Sequence, residues 1–106
     1  MSRPDARSGG FNSILRQSIH EGIVSVVGRD TAKSVEFYLD SSIAAKDIVT
    51  YTKALERIFD VGSKRIEENC ARALYSNLGL NFEVKELYKL SDYVNEARKR
   101  FLLGEK

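Results

Sequence analysis

The sequence predicts an all-α fold, a compact bundle of about five helices built round a central αα-hairpin. Three observations carry that expectation. Apolar residues recur at three- and four-residue steps along most of the chain, glycines and capping residues stand where those runs stop, and the only proline lies in the N-terminal stretch. At 106 residues the chain has room for one modest core and no separate catalytic subdomain, so residues 12–106 are expected to form a single helical domain.

The opening stretch MSRPDARSGG holds Pro4, two arginines and an adjacent glycine pair, with almost no apolar side chain. Residues 1–11 therefore read as a flexible tail, from which Arg3 and Arg7 could touch an acidic partner. From Asn12 to Val27, Ile14, Leu15, Ile19, Ile23, Val24 and Val27 follow a helical period, with Asn12 or Ser13 as the cap. Gly22 inside this helix costs about 1 kcal/mol relative to alanine, which predicts either a bend or a close approach by another backbone. Gly28 ends the helix. Asp30 or Thr31 then opens a short second one with Ala32, Val35, Tyr38 and Leu39 inward. Asp40, Ser41 and Ser42 break the pattern, and Ile43 is expected to plug the core from the loop.

The stretch from Asp47 to Leu80 reads as the organising hairpin. Ile48, Tyr51, Leu55, Ile58 and Phe59 share one helix face, and Ile66, Cys70, Ala73, Leu74 and Leu78 repeat the pattern in a second arm. Gly62 lies between them, where a left-handed residue costs least, and Ser63 can cap the second arm. Gly79 and Leu80 are placed for a Schellman closure onto Tyr75. Asn81 is expected to cap a long last helix carrying Val84, Leu87, Tyr88, Val94, Ala97, Phe101 and Leu102, with a kink or restart where Ser91 and Asp92 interrupt the apolar face.

The totals narrow the function classes. A net charge of +2, with 30% charged residues, gives a mixed surface that neither demands nor excludes nucleic acid. One cysteine, Cys70, permits no internal disulfide, and its place on an apolar stripe reads as a small buried hydrophobe. No apolar run reaches the roughly 18 residues of a membrane span, and the N-terminus has no signal-peptide pattern, so a cytoplasmic protein is expected.

No metal-ligand spacing, phosphate-binding loop or nucleophile motif occurs, and Glu67 and Glu68 are neighbours that point to different parts of a helix. Arg16 and His20 form R-x-x-x-H, which resembles the arginine–histidine motif of small helical ribonucleases of the HEPN type. The gap is at least one residue short of that motif, and an exposed polar helix face is the preferred reading. The expectation is therefore a non-enzymatic protein with no catalytic residue, no metal and no cofactor. The tyrosines Tyr38, Tyr51, Tyr75, Tyr88 and Tyr93 mostly lie on or beside apolar stripes and read as core volume; two or more of these tyrosines exposed together would instead mark a partner surface.

The core ALERIFDVGSKRIEENCARALYSNLGL resembles a family of small archaeal helical domains, the Nitrosopumilus output domain type. The resemblance rests on Ala54, Leu55, Glu56, Ile58, Phe59, Gly62, Lys64, Leu74, Tyr75, Leu78, Gly79 and Leu80, and extends upstream through Phe37, Tyr38 and Gly28 to about Ile14. The family's acidic, proline-containing loop before the hairpin is here SSIAAK, and the last helix is less similar. What the resemblance implies is an intracellular archaeal domain, sometimes joined to a signal-receiving domain, that works by contact; it carries over no catalytic residue.

Two functions follow as expectations. The first is a regulatory or scaffolding domain that binds protein, as a homodimer, through the end of the last helix at Tyr93, Phe101, Leu102 and Leu103. The alternative is a nucleic-acid-associated factor, a transcriptional regulator or ribosome-bound protein, with a basic face of Lys64, Arg65, Arg72, Arg98, Lys99 and Arg100.

Overall fold

Helical periodicity dominates the chain, and the computed structural model, which describes residues 8–104, is accordingly all-α. Six α-helices follow in order: α1 (Ser8–Val27), α2 (Arg29–Tyr38), α3 (Ser42–Lys46), α4 (Ile48–Phe59), α5 (Ser63–Leu78) and α6 (Leu90–Leu102). A 3-10 turn, Asp60–Gly62, joins α4 to α5. A non-helical strap over residues 81–89 leads into α6, and no strand occurs among the described residues. The radius of gyration, 13.2 Å, is what a packed domain of about 100 residues should have.

The α4–α5 hairpin forms as expected, but the most extensive contact in the fold is α1 against α5. These are the two longest helices, with 20 and 16 residues, and Gly22 lets their backbones meet. The space that a side chain at position 22 would fill holds the backbone of Cys70, and the Cys70 thiol donates to the Ile19 carbonyl at 3.5 Å. Leu15, Ile19 and Ile23 from α1, Tyr51 and Leu55 from α4, Ile66, Cys70 and Leu74 from α5, and Leu90, Val94 and Ala97 from α6 close one continuous core. Burial pushes the Cys70 thiol pKa far up, so it is the inert hydrophobe the sequence indicates.

Several boundaries differ from expectation. The first helix starts at Ser8 rather than Asn12, because Phe11 is core: it is 1% exposed and its ring stands 5.8 Å from that of Phe101. The boundary of the expected tail therefore moves back from residue 11, while its residues 1–7, with Arg3 and Arg7, lie outside the described residues. Gly28, at φ 88°, ends α1 by donating to the Val24 carbonyl and begins α2 by accepting from the Ala32 amide, which leaves neither Asp30 nor Thr31 a capping role. The expected loop at Ser42–Lys46 is the one-turn helix α3. Ala44, not Ile43, plugs the core from it.

Asp47 caps α4, a cap not read from the sequence, with its carboxylate taking the Thr50 amide at 3.1 Å and the Thr50 hydroxyl at 2.8 Å. At the turn, Gly62 is right-handed, and it is Asp60 that adopts the positive φ, 52°. Ser63 is the first residue of α5 rather than its cap, and no side-chain cap bond opens that helix. The Schellman closure is present: Gly79, at φ 74°, donates to Ser76, and Leu80 donates to Tyr75 at 2.8 Å.

The last helix differs most. Asn81 does not open it; α6 begins at Leu90, so the restart foreseen near Ser91 and Asp92 is its true start. Asp92 there accepts from the Lys89 amide at 2.9 Å. Residues 81–89 are held instead by aromatic packing, with Phe82 against Tyr75 and Tyr93, and by the Tyr93 hydroxyl, which accepts from the Lys85 amide at 2.8 Å and donates to the Lys85 carbonyl at 3.1 Å. Val84 and Leu87, expected inward, are exposed.

Candidate interaction surface

Each expected contact residue has a definite place. Tyr93, at 2% exposed, cannot meet a partner: its ring is in the core and its hydroxyl is committed to Lys85. Phe101 is half-buried against Phe11, and Leu102 and Leu103 are exposed at the end of α6. Of the four, only the two leucines remain as open surface, because α6 packs against α5 and α4, with Phe101 reaching Phe11 of α1, rather than projecting from the bundle.

The expected basic face is divided among three places. Arg72 and Arg100 converge on the aromatic cluster, with the Arg72 guanidinium 5.0 Å from the Phe82 ring and that of Arg100 6.0 Å from the Tyr75 ring. Arg98 stacks at 4.9 Å over Phe11, beside α1. Lys64, two helical turns before Arg72, reaches Glu68 and the Glu86 carbonyl. Arg65 and Lys99 are exposed. Rings and carboxylates thus take up much of this charge, and the six residues do not form one continuous face.

Arg16 and His20 act as struts. Arg16 donates to the Ser41 hydroxyl at 3.1 Å and pairs with Asp40 at 3.8 Å, while His20 Nδ1 lies 2.7 Å from Glu36. Both tie α1 to the α2–α3 segment, which accounts for a polar pair one helical turn apart without chemistry between them.

Residues at the end of α2 make the most exposed aromatic surface. Phe37 is 84% and Tyr38 80% exposed, and their rings meet edge to face at 5.3 Å. Asp30, Lys33 and Ser34 share a shallow depression with them. Tyr38, expected inward, is excluded because Ala32, Val35 and Leu39 already fill the buried side of this short helix. The sequence signal was a second stripe: Asp30, Lys33, Ser34 and Phe37 fall at i, i+3, i+4 and i+7, the spacing of one face opposite the buried one.

Two further clusters lie along the strap. Tyr75, Tyr88, Tyr93, Lys85, Glu96 and Arg100 line a cavity of about 260 Å³. Its polar groups serve one another: the Tyr88 hydroxyl donates to Glu96 at 2.8 Å, the Tyr75 hydroxyl to the Tyr93 carbonyl at 3.1 Å, and Lys85 pairs with Glu96 at 3.5 Å. Beyond it, Glu67 is 5% exposed, shares a cavity with Glu56 of α4 and Ser63, and accepts from the Leu90 amide at 2.7 Å. Lys89 holds both Glu56 oxygens at 3.2 Å. Burial pushes the Glu67 pKa up to about 7; the Leu90 bond opposes that rise and the Glu56 carboxyl adds to it.

Among the described residues no group of three or more histidine, cysteine, aspartate or glutamate side chains could hold a metal ion, and no helix is long and apolar enough to cross a membrane. Comparison with protein-family models, with curated proteins and with solved structures finds no match for this chain.

Proposed function

We propose that this chain is a non-enzymatic regulatory or scaffolding domain that acts by protein contact, and that the outer face of α2 takes a second copy of the chain. The observation that carries the reading is the Phe37–Tyr38 pair, two rings held in water side by side on a well-formed helix. Exposed aromatic rings are enriched at protein interfaces and supply much of their binding energy. The face also carries one acid and one base, Asp30 and Lys33, next to the rings. An isologous contact meets its own patch reversed, so each copy offers the other both the opposite charge and an aromatic pair. The resemblance to the Nitrosopumilus output domain type favours the same kind of role, in an archaeal cell and inside it.

Light scattering after size exclusion tests this, on the parent chain and on a Phe37→Ser, Tyr38→Ser double variant, at low and high salt and with a mixed RNA and DNA pool. The expected result is a dimer that persists in high salt, ignores nucleic acid and becomes a monomer in the variant. A dimer unchanged by the double substitution, or a monomer at every concentration, overturns it. A monomer that shifts with nucleic acid only at low salt replaces it with the nucleic-acid reading.

A further inference from the structure

We infer that the carboxyl groups of Glu56 and Glu67 form a proton-operated latch: with one proton held between them, residues 86–90 and the first turn of α6 stay fastened to the α4–α5 hairpin, and loss of that proton to solvent loosens them. The inference is independent of the α2 surface.

Both carboxyls line one cavity, and Glu67 is almost wholly buried in it. Two carboxyls brought together away from water hold one proton in common, because two like charges there repel. Lys89 bonds both oxygens of Glu56, not Glu67. Among the described residues the hydrogen bond that Glu67 accepts comes from a neutral dipole, the Leu90 amide at 2.7 Å.

The surrounding charges do not change this balance. On its own helix, Lys64 is turned to Glu68 and to the Glu86 carbonyl, and the buried Cys70 thiol is neutral. The strap contributes Glu86, Tyr88 and Lys89; α6 contributes Leu90 and Asp92, whose carboxylate is occupied by the Lys89 amide. From α1 the groups packed on this part of α5 are Gly22 and the Ile19 carbonyl at Cys70, which carry no charge. Removing the shared proton therefore leaves two neighbouring negative charges, the buried one without the lysine that Glu56 holds.

The loosened segment is the one these residues fasten. Glu67 holds the amide of the first residue of α6, and Glu56 holds Lys89 just before it. A cavity of about 250 Å³ between them and Ser63, Lys64, Glu86 and Leu87 gives water a route to the pair. The other end of the strap is pinned separately by Tyr93 on Lys85, so release does not extend back beyond residue 86.

Carbon-detected NMR of the glutamate side-chain carboxyls, with amide exchange at Leu90 corrected for the intrinsic effect of pH, tests the latch on the whole chain. One glutamate should titrate near neutrality, and protection at Leu90 should fall at least tenfold more from pH 5.5 to pH 8.5 than protection at Lys85. In Glu67→Gln, which keeps the amide acceptor without the charge, that difference should vanish with Leu90 protected at both pH values. Glu56→Gln keeps the Leu90 bond and removes the competing carboxyl, and should lower the titration of Glu67. The parent titration decides the matter even where a variant fails to fold. Glutamates that all titrate in the ordinary carboxylate range, or the same exchange difference in Glu67→Gln, overturn the inference.

Discussion

The backbone of Cys70 occupies the place of a side chain at Gly22: a Cβ there lies 2.5 Å from both the Cys70 Cα and its amide nitrogen. Neither helix can yield cheaply, because α1 and α5 are the most extensively packed pair in the fold and both positions are buried. Alanine in a helix is ordinarily better than glycine by about 1 kcal/mol. Here the sign reverses, and Gly22→Ala is expected to lower stability by about 2–3 kcal/mol, as overpacking a tight core does. Gly62→Ala is the control, since position 62 has φ −80° and nothing within 4 Å of an added Cβ. It should be neutral or raise stability by about 0.5 kcal/mol. Urea midpoints of the two variants check the contrast, and a tolerated Gly22→Ala removes it.

Tyr93→Phe separates a structural tyrosine from a partner-binding one. The lost hydroxyl leaves both the amide and the carbonyl of Lys85 without it, and Lys85 is only partly buried, so water replaces some of what is removed. The expected cost is about 1–2 kcal/mol, with faster amide exchange at Lys85 and no change in association. A variant of parental stability that no longer self-associates would return Tyr93 to the interface.

Legibility in the sequence followed locality. Gly79 was readable because a Schellman turn needs only residues within one turn of the chain. Gly22 was readable because a glycine deep in an apolar helix has few other uses. At the α4–α5 turn the local rule had two solutions, and the positive φ fell to Asp60, a residue type that tolerates it, rather than to Gly62. The non-helical strap before α6 was hidden because Tyr93, eight residues beyond Lys85, captures the Lys85 backbone, and no helical period can anticipate that. The same distance effect hid the Glu56–Glu67 contact: the two residues lie on different arms of the hairpin, and the sequence offered only the adjacent Glu67 and Glu68. The exposed Phe37–Tyr38 pair was not read from the sequence, which placed Tyr38 inward; the short helix buries only Ala32 and Val35, with Leu39 at its end.

Stability should fall with rising pH across a window set by Glu67. Its pKa is about 7 in the fold against 4.5 ordinarily, so the native state binds the extra proton between those values. The contribution is fully present below about pH 4.5 and is lost as pH rises through 7, a change on the order of 3 kcal/mol. Glu21 and Glu96 act in the opposite sense: hydrogen bonds from Asn77 and from Tyr88, respectively, hold their pKa values low, so their contributions are lost as pH falls below the usual carboxylate range. The parent chain should therefore be most stable near pH 5, and Glu67→Gln should flatten the fall toward pH 8. Urea denaturation at pH 5 and pH 8 checks this; equal slopes in both proteins would leave Glu67 without the assigned role.

The outer face of α2 can be tested by charge exchange, because a self-contact and a contact with another protein respond differently to it. Lys33→Glu gives a face with two acids, and Asp30→Lys a face with two bases. Both positions are exposed, so the change in folding stability should stay within about 0.5 kcal/mol. In an isologous contact each substitution acts twice, once in each copy, and sets like charges against each other. Each variant alone should be a monomer, or a dimer weakened about tenfold or more, and an equimolar mixture of the two should recover a heterodimer in which acid meets base. Recovery should weaken with salt, while the aromatic contribution from Phe37 and Tyr38 should not. Sedimentation of the two variants, separate and mixed, reads all of this. If both variants dimerise like the parent, the α2 face is not where two copies meet.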